Sequence, residues 1–115
     1  MGVIVEVAAL KPEVNVAHIS GRLDAITCEE AQPVVLGALD NGSSGIILDL
    51  ASLDFISSAG LRIMVMLMKN AVADGKQIAM VGVQPHIYKI FKIAALDKFF
   101  RFFDNEGEAI RELWP

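Results

Sequence analysis

Residues 45–50, GIILDL, constrain the fold of this chain more than any other segment. Apolar residues follow one another there without polar alternation, the pattern of a strand buried on both faces. KQIAMVGV, residues 76–83, is a second buried strand. Between them runs a strongly apolar helical segment that starts at Ser57 and Ser58 and ends near Ala73, before Asp74 and Gly75. Strands and helices alternating at this spacing indicate an α/β sheet.

The flanking segments extend this pattern. VIVEVAAL near the start has the Val/Ile content of a strand. The next strand, VNVAHISGRLD, puts Val14, Val16, His18 and Ser20 on one face and Asn15, Ala17 and Ile19 on the other, and ends at Gly21. Lys11-Pro12-Glu13 reads as the hairpin turn between the two. A capping box of Thr27 and Glu30 opens a helix with Ala31, Val34, Val35, Ala38 and Leu39 on one side. Asn41-Gly42 closes it, and Pro33, too deep for a first-turn proline, points to an irregular or later start. Pro85 opens a helix through HIYKIFKIAAL, with Ile87, Ile90, Phe91 and Ala94 facing inward. FFRFFD reads as a short strand, and NEGEAIRELW as a terminal helix capped by Asn105 or Asp104. The expected order is β-β-α-β-α-β-α-β-α: one domain over residues 1–115, a mixed sheet with an N-terminal hairpin, parallel crossovers and about four helices.

Composition narrows the function. A chain of 115 residues, 54% apolar and 21% charged, can bury one core and is not a disordered tail. Its net charge of −4 and lack of a Lys/Arg cluster argue against nucleic acid as a partner. Charges such as Lys69 and Asp74 interrupt the apolar runs short of a membrane span, so direct membrane insertion is not expected. No basic leader or cleavage pattern is visible, and the single cysteine, Cys28, suits a reducing compartment; a cytoplasmic protein is expected.

The paired serines are the leading candidates for chemistry. A helix N-terminus offers unpaired N–H groups and the positive end of the helix dipole, which favours a phosphate. Ala59 and Gly60 are small enough for another protein's active site to approach either hydroxyl. Gly60 costs roughly 1 kcal/mol of helix stability against alanine, which points to a steric use. These residues alone leave two readings open: a plain cap at Ser57 with Ser58 as filler, or a modifiable hydroxyl. Further along, Leu61, Met64, Val65, Met68 and Val72 form a core stripe by spacing. Ile63, Met66 and Leu67 lie off it, and are either buried by neighbours or exposed for a partner.

Other constellations are thin. His18 and His86 lack metal-ligand spacing. SSAG is not the G-x-S-x-G elbow of a hydrolase. Asp24, Asp49 and Asp54 sit at strand or loop ends without forming an acid/base pair, and the glycines at 42 and 45 lack the lysine of a phosphate-binding loop. Cys28 reads as a helix residue. No catalytic site assembles, so neither enzymatic activity nor a cofactor is expected.

Two segments resemble a known family. GIILDLASLDFISSAGLRIM is similar to the signature of STAS domains found in bacterial anti-sigma-factor antagonists, through Asp49-Leu50, Phe55-Ile56, Ser57-Ser58 and Gly60-Leu61. ISGRLDAITCEEAQ resembles the family's Gly-x-Leu-Asp segment, carried here by Gly21, Leu23 and Asp24. The resemblance implies a protein without catalysis of its own. Its unphosphorylated form would bind an anti-sigma factor that is also a serine kinase, and so free a sigma factor. Phosphorylation on Ser58, two residues before the motif glycine, would switch binding off, and a PP2C-type serine phosphatase would reset it. Partner contacts are then expected at Asp24, Asp54, Ser57, Ser58, Ala59, Gly60, Leu61, Ile63 and Met66. Asp24 and Asp54, if close, would add repulsion to the phosphate. Ser57 stands where many members carry aspartate and is the second choice of acceptor; Ala59 replaces a frequent serine or threonine. The alternative is a constitutive STAS interaction subunit of a transport or sensory complex, without phosphorylation. A small hydrolase using Ser57 or Ser58 would need His18 or His86 within hydrogen-bond reach.

Overall fold

The computed structural model describes residues 2–11, 13–40 and 44–115. Within these, the chain runs β1 (Val3–Lys11), β2 (Val14–Leu23), α1 (Cys28–Asp40), β3 (Gly45–Asp49), β4 (Leu53–Ile56), α2 (Ser58–Ala73), β5 (Gln77–Val81), α3 (Pro85–Ile93), β6 (Arg101–Phe103) and α4 (Glu106–Leu113). A single 3-10 turn, Asp97–Phe99, precedes β6. The strands form one sheet in the order β1-β2-β3-β5-β6, with β4 also pairing β2. Only the β1–β2 pair is antiparallel; the others are parallel.

The expected architecture is therefore present, with one strand more. β4 was hidden because LDFI is four residues long and carries no period of its own. It becomes a strand only by pairing with the end of β2, where Arg22 faces Phe55 and Leu23 faces Ile56. β2 pairs β3 along Val14–His18 and then β4 along Gly21–Leu23, with a shift of register between Gly21 and Arg22. Gly21 has a φ of +94°, and a side chain there would collide with the Gly2 carbonyl. Only glycine fits that turn in the strand.

Each face of the sheet has its own cover. α1, α2 and α3 pack on one face over Ala17, Ile19, Ile46, Leu48 and Met80. α4 alone covers the other, over Val14, Val16, Ile47, Ala79 and Val81. The alternation along β2 is as expected, with Val14 and Val16 under α4, and Ala17 and Ile19 under α1 and α2.

Several local expectations change. The capping box sits three residues earlier than Thr27 and Glu30. Asp24 Oδ1 accepts from the backbone N–H of Ile26 and of Thr27, both at 3.0 Å. In return, Thr27 Oγ1 accepts from the Asp24 N–H at 2.9 Å and donates to the Arg22 carbonyl at 2.7 Å. Asp24 is thus the cap and Thr27 its reciprocal partner, because the chain already turns over residues 25–27 before the helix proper. Pro33 is accommodated inside α1, which starts at Cys28, directly after Thr27, and not later. Val34 points outward at 42% exposure, and Ala94 is exposed just past α3. Asn105 caps α4 by accepting from the Glu108 N–H at 2.9 Å. Pro12 of the hairpin turn and the Asn41-Gly42 stop lie outside the described residues.

Candidate partner-docking site

The site is built where β2 and β4 end side by side. The Ser57 N–H donates to the Leu23 carbonyl at 2.9 Å, which brings the end of β2 against the start of α2. Ser57 is extended, and its Oγ accepts from the Gly60 N–H at 3.4 Å, so it is the N-cap of α2. Ser58 is the first helical residue and is exposed.

Gly60 is buried, which corrects its expected role. A Cβ there would lie 2.6 Å from Ile56 Cγ1 and 2.8 Å from the Leu23 carbonyl. The missing side chain lets α2 approach the β2–β4 edge; it does not open a path to the serines. Ala59 is half-buried and packs against the core.

The stripe that α2 buries is one residue out of phase with the expected one. Gly60, Ile63, Met64, Leu67 and Ala71 face the core, whereas Leu61, Val65 and Met68 are half-buried and Val72 is 72% exposed. Ile63, expected to meet a partner, is 3% exposed and cannot. Both stripes have the same i, i+3, i+4, i+7, i+11 spacing, and most residues in the helix are apolar, so the period fits either. Small residues settle the choice: Gly60 and Ala71 allow the close approach that Leu61 and Val72 would prevent.

Turned this way, α2 offers its outer face to solvent. Ser58, Leu61, Arg62, Val65, Met66 and Lys69 line a groove of about 590 Å³, closed by Ala94 and Leu96 from beyond α3. Its floor is aliphatic, its rim carries two cations, and Ser58 stands at one end. Met66 also touches α1, with the Gln32 amide 3.6 Å from its sulfur. Among the expected contacts, the structure brings Ser58, Leu61 and Met66 together here. The sequence reading missed Arg62, Val65, Lys69 and Leu96. A signal was present: Arg62, Val65, Met66 and Lys69 fall at i, i+3, i+4 and i+7, and the charges in so apolar a helix mark its wet side.

The remaining expected residues surround the strand ends. Asp24 follows β2, and its carboxylate lies 3.8 Å from Arg22 Nε. Arg22 stacks over the Phe55 ring at 4.1 Å. The Thr27 backbone N–H, with the Ile26 N–H, the Thr27 hydroxyl and Arg22, holds the Asp24 carboxyl below its ordinary value against the opposing effect of desolvation. Asp54 is exposed on β4, and its carbonyl meets His86 Nε2 at 2.9 Å. His18 lies beside Asp49 at 2.9 Å. The two histidines thus meet Asp49 and the Asp54 carbonyl, with no hydrogen bond to Ser57 or Ser58 among the described residues. Burial pushes the Cys28 thiol up, as suits a structural cysteine.

The chain is similar to known proteins over most of its length. An anti-sigma F factor antagonist of Paenibacillus polymyxa is 28% identical over 101 residues, covering 87% of this chain and 86% of the relative. The crystal structure of an anti-sigma factor antagonist from Mycobacterium paratuberculosis aligns with a TM-score of 0.87 at 18% identity, covering 98% of this chain and 95% of that one. SpoIIAA of Bacillus, solved unphosphorylated and phosphorylated, aligns at 0.80 and 0.73 with 21% identity; each alignment covers 95% of this chain, and 95% and 98% of SpoIIAA respectively. At such identities the structural matches speak for the fold. The STAS domain family model matches residues 7–109, nearly the whole chain, and the protein belongs to the STAS domain family.

Proposed function

We propose that this protein is an anti-sigma-factor antagonist whose docking to its partner is switched by phosphorylation of Ser58. The observation that carries the reading is the position of Ser58: an exposed hydroxyl at the mouth of an apolar groove on α2. The names of its relatives support the antagonist role, and the two forms of SpoIIAA show that a protein of this fold can carry phosphate. The partner is an anti-sigma factor that is also a serine kinase, and a PP2C-type phosphatase resets the switch. Leu61, Val65 and Met66 supply the apolar contact, while Arg62 and Lys69 attract acidic groups on the partner's rim.

A phosphate on Ser58 would bring about −2 charge to the groove's end. It sits one helical turn before Arg62, at the i, i+4 spacing where side chains meet. Pairing would withdraw that cation from the partner and leave a hydrated dianion that docking must desolvate. No large rearrangement is needed. Binding is lost because the surface itself has changed.

The test is intact-mass analysis after incubation with the candidate kinase and ATP, on wild type, Ser57→Ala and Ser58→Ala. One phosphate is expected on wild type and Ser57→Ala and none on Ser58→Ala, with loss of anti-sigma binding on the modified protein. Val65→Asp should weaken binding by about 2 kcal/mol or more without phosphate. Should the kinase modify its own known substrate and none of the three proteins, that kinase is not its partner and the constitutive-subunit reading takes precedence.

A further inference from the structure

On the opposite face of the sheet, three residues far apart in sequence meet at one point. His18 on β2 and Asp49 on β3 are directly paired across the parallel ladder, so their side chains leave the same face. Glu106, the first residue of α4, reaches the same place. His18 Nδ1 lies 2.9 Å from Asp49 Oδ2, and Nε2 lies 3.9 Å from Glu106 Oε2. Asp49 is oriented by its other oxygen, which accepts from the Ala51 N–H at 3.0 Å. One donor atom from each of the three lies within 4.8 Å of the others. All three side chains are partly exposed, so the cluster can be reached from water.

We propose that His18, Asp49 and Glu106 form a binding site for a divalent first-row transition ion. An imidazole with two carboxylates is a donor set that zinc and its neighbours accept, whereas magnesium and calcium favour oxygen alone. Zinc binds nitrogen and carboxylate oxygen at about 2.0–2.2 Å, so two donors on one ion stand roughly 3 Å apart. The His18–Asp49 pair already has that separation. An ion takes only one ring nitrogen, so Glu106, on its long flexible stem, is the group that must shift. The Ala51 N–H is the outer-sphere bond that fixes the Asp49 carboxylate, the arrangement that orients ligands in established sites. Asp104 lines the crevice beside Asp49 and Glu106 and adds negative charge to it. Such an ion would join β2 and β3 to α4, and it is independent of the groove on α2. Spacing in the sequence could not reveal the set, since each ligand comes from a different element.

The experiment titrates tag-free protein with Zn²⁺ and reads heat and thermal melting, using wild type, His86→Ala, His18→Ala and Glu106→Gln. Wild type and His86→Ala should take up one ion per chain, with melting temperature rising as zinc is added. Losing a ligand should weaken binding at least as much as losing an outer-sphere partner does, roughly 10–100-fold. Glu106→Gln, at an exposed helix start, keeps the test decisive if His18→Ala does not fold. The proposal is overturned if no saturable site is found, if neither variant weakens the zinc isotherm, or if Mg²⁺ raises the melting temperature as much as Zn²⁺. In those cases the cluster is an ion-pair network fastening α4 to the sheet.

Discussion

Three helices press on one face of the sheet and bury a continuous core from Val3 to Phe100, while the other face is covered by the eight residues of α4. Under α2, Ile63, Met64 and Leu67 are almost wholly excluded from water. Under α4, Ala109 is the one fully buried residue the helix contributes, with Ile110, Leu113 and Trp114 only partly covered. The Trp114 indole nitrogen is buried without a hydrogen-bond partner among the described residues, which further weakens that cover. The difference teaches what each face can support. A helix held by a deep stripe can leave its opposite side apolar and fixed in place, as a docking groove requires. A thin cover leaves room at its edge for polar groups to gather, as His18, Asp49 and Glu106 do.

The contrast is open to measurement by urea unfolding. Leu67→Ala, beneath α2, should cost about 2–5 kcal/mol, the range for a buried leucine truncated in a packed core. Gly60→Ala comes next. Its added methyl meets Ile56 and the Leu23 carbonyl, a backbone group unable to yield, and overpacking of this kind costs about 1–3 kcal/mol. Leu113→Ala, on the thin cover, should cost about 1 kcal/mol, because that side chain is only partly removed from water. A Leu113→Ala variant as damaged as Leu67→Ala would show that the two covers are energetically alike and break the comparison.

What the sequence disclosed follows the same division. The buried strands were legible because each has one dominant physical requirement, whereas the Gly-x-Leu-Asp segment was singled out by its resemblance to a family and the structure supplies its physical reasons. Gly21 makes the register shift, Leu23 is buried, and Asp24 caps α1. The face of α2 was not legible from spacing, since two stripes had the same period and the choice depended on how closely Gly60 and Ala71 let the helix approach. β4 escaped because its pairing is with a distant strand end, not with a pattern in its own four residues. The His18 cluster escaped for a related reason: it is a product of parallel register and a helix start more than eighty residues downstream.

The smallest effect is expected from the charge of Asp24, and it should act on the α1 side of the sheet only. Asp24 is charged where it accepts from the Thr27 and Ile26 amides, and its folded pKa lies below the ordinary 3.8. A depressed carboxyl stabilises the fold above its unfolded pKa, and that contribution disappears as pH falls through the folded value. Asp24→Asn keeps an acceptor oxygen for the two amides but has no charge to lose. Wild type should therefore exceed the variant in stability at neutral pH, and the gap should close as pH is lowered below 3.8. Amide exchange gives the location. At neutral pH, Ile26 and Thr27 should exchange faster in the variant than in wild type, with the α4 amides alike in both. In acid the two proteins should match at Ile26 and Thr27 as well. A stability gap unchanged by acid would mean that Asp24 acts as a hydrogen-bond acceptor and that its charge contributes nothing.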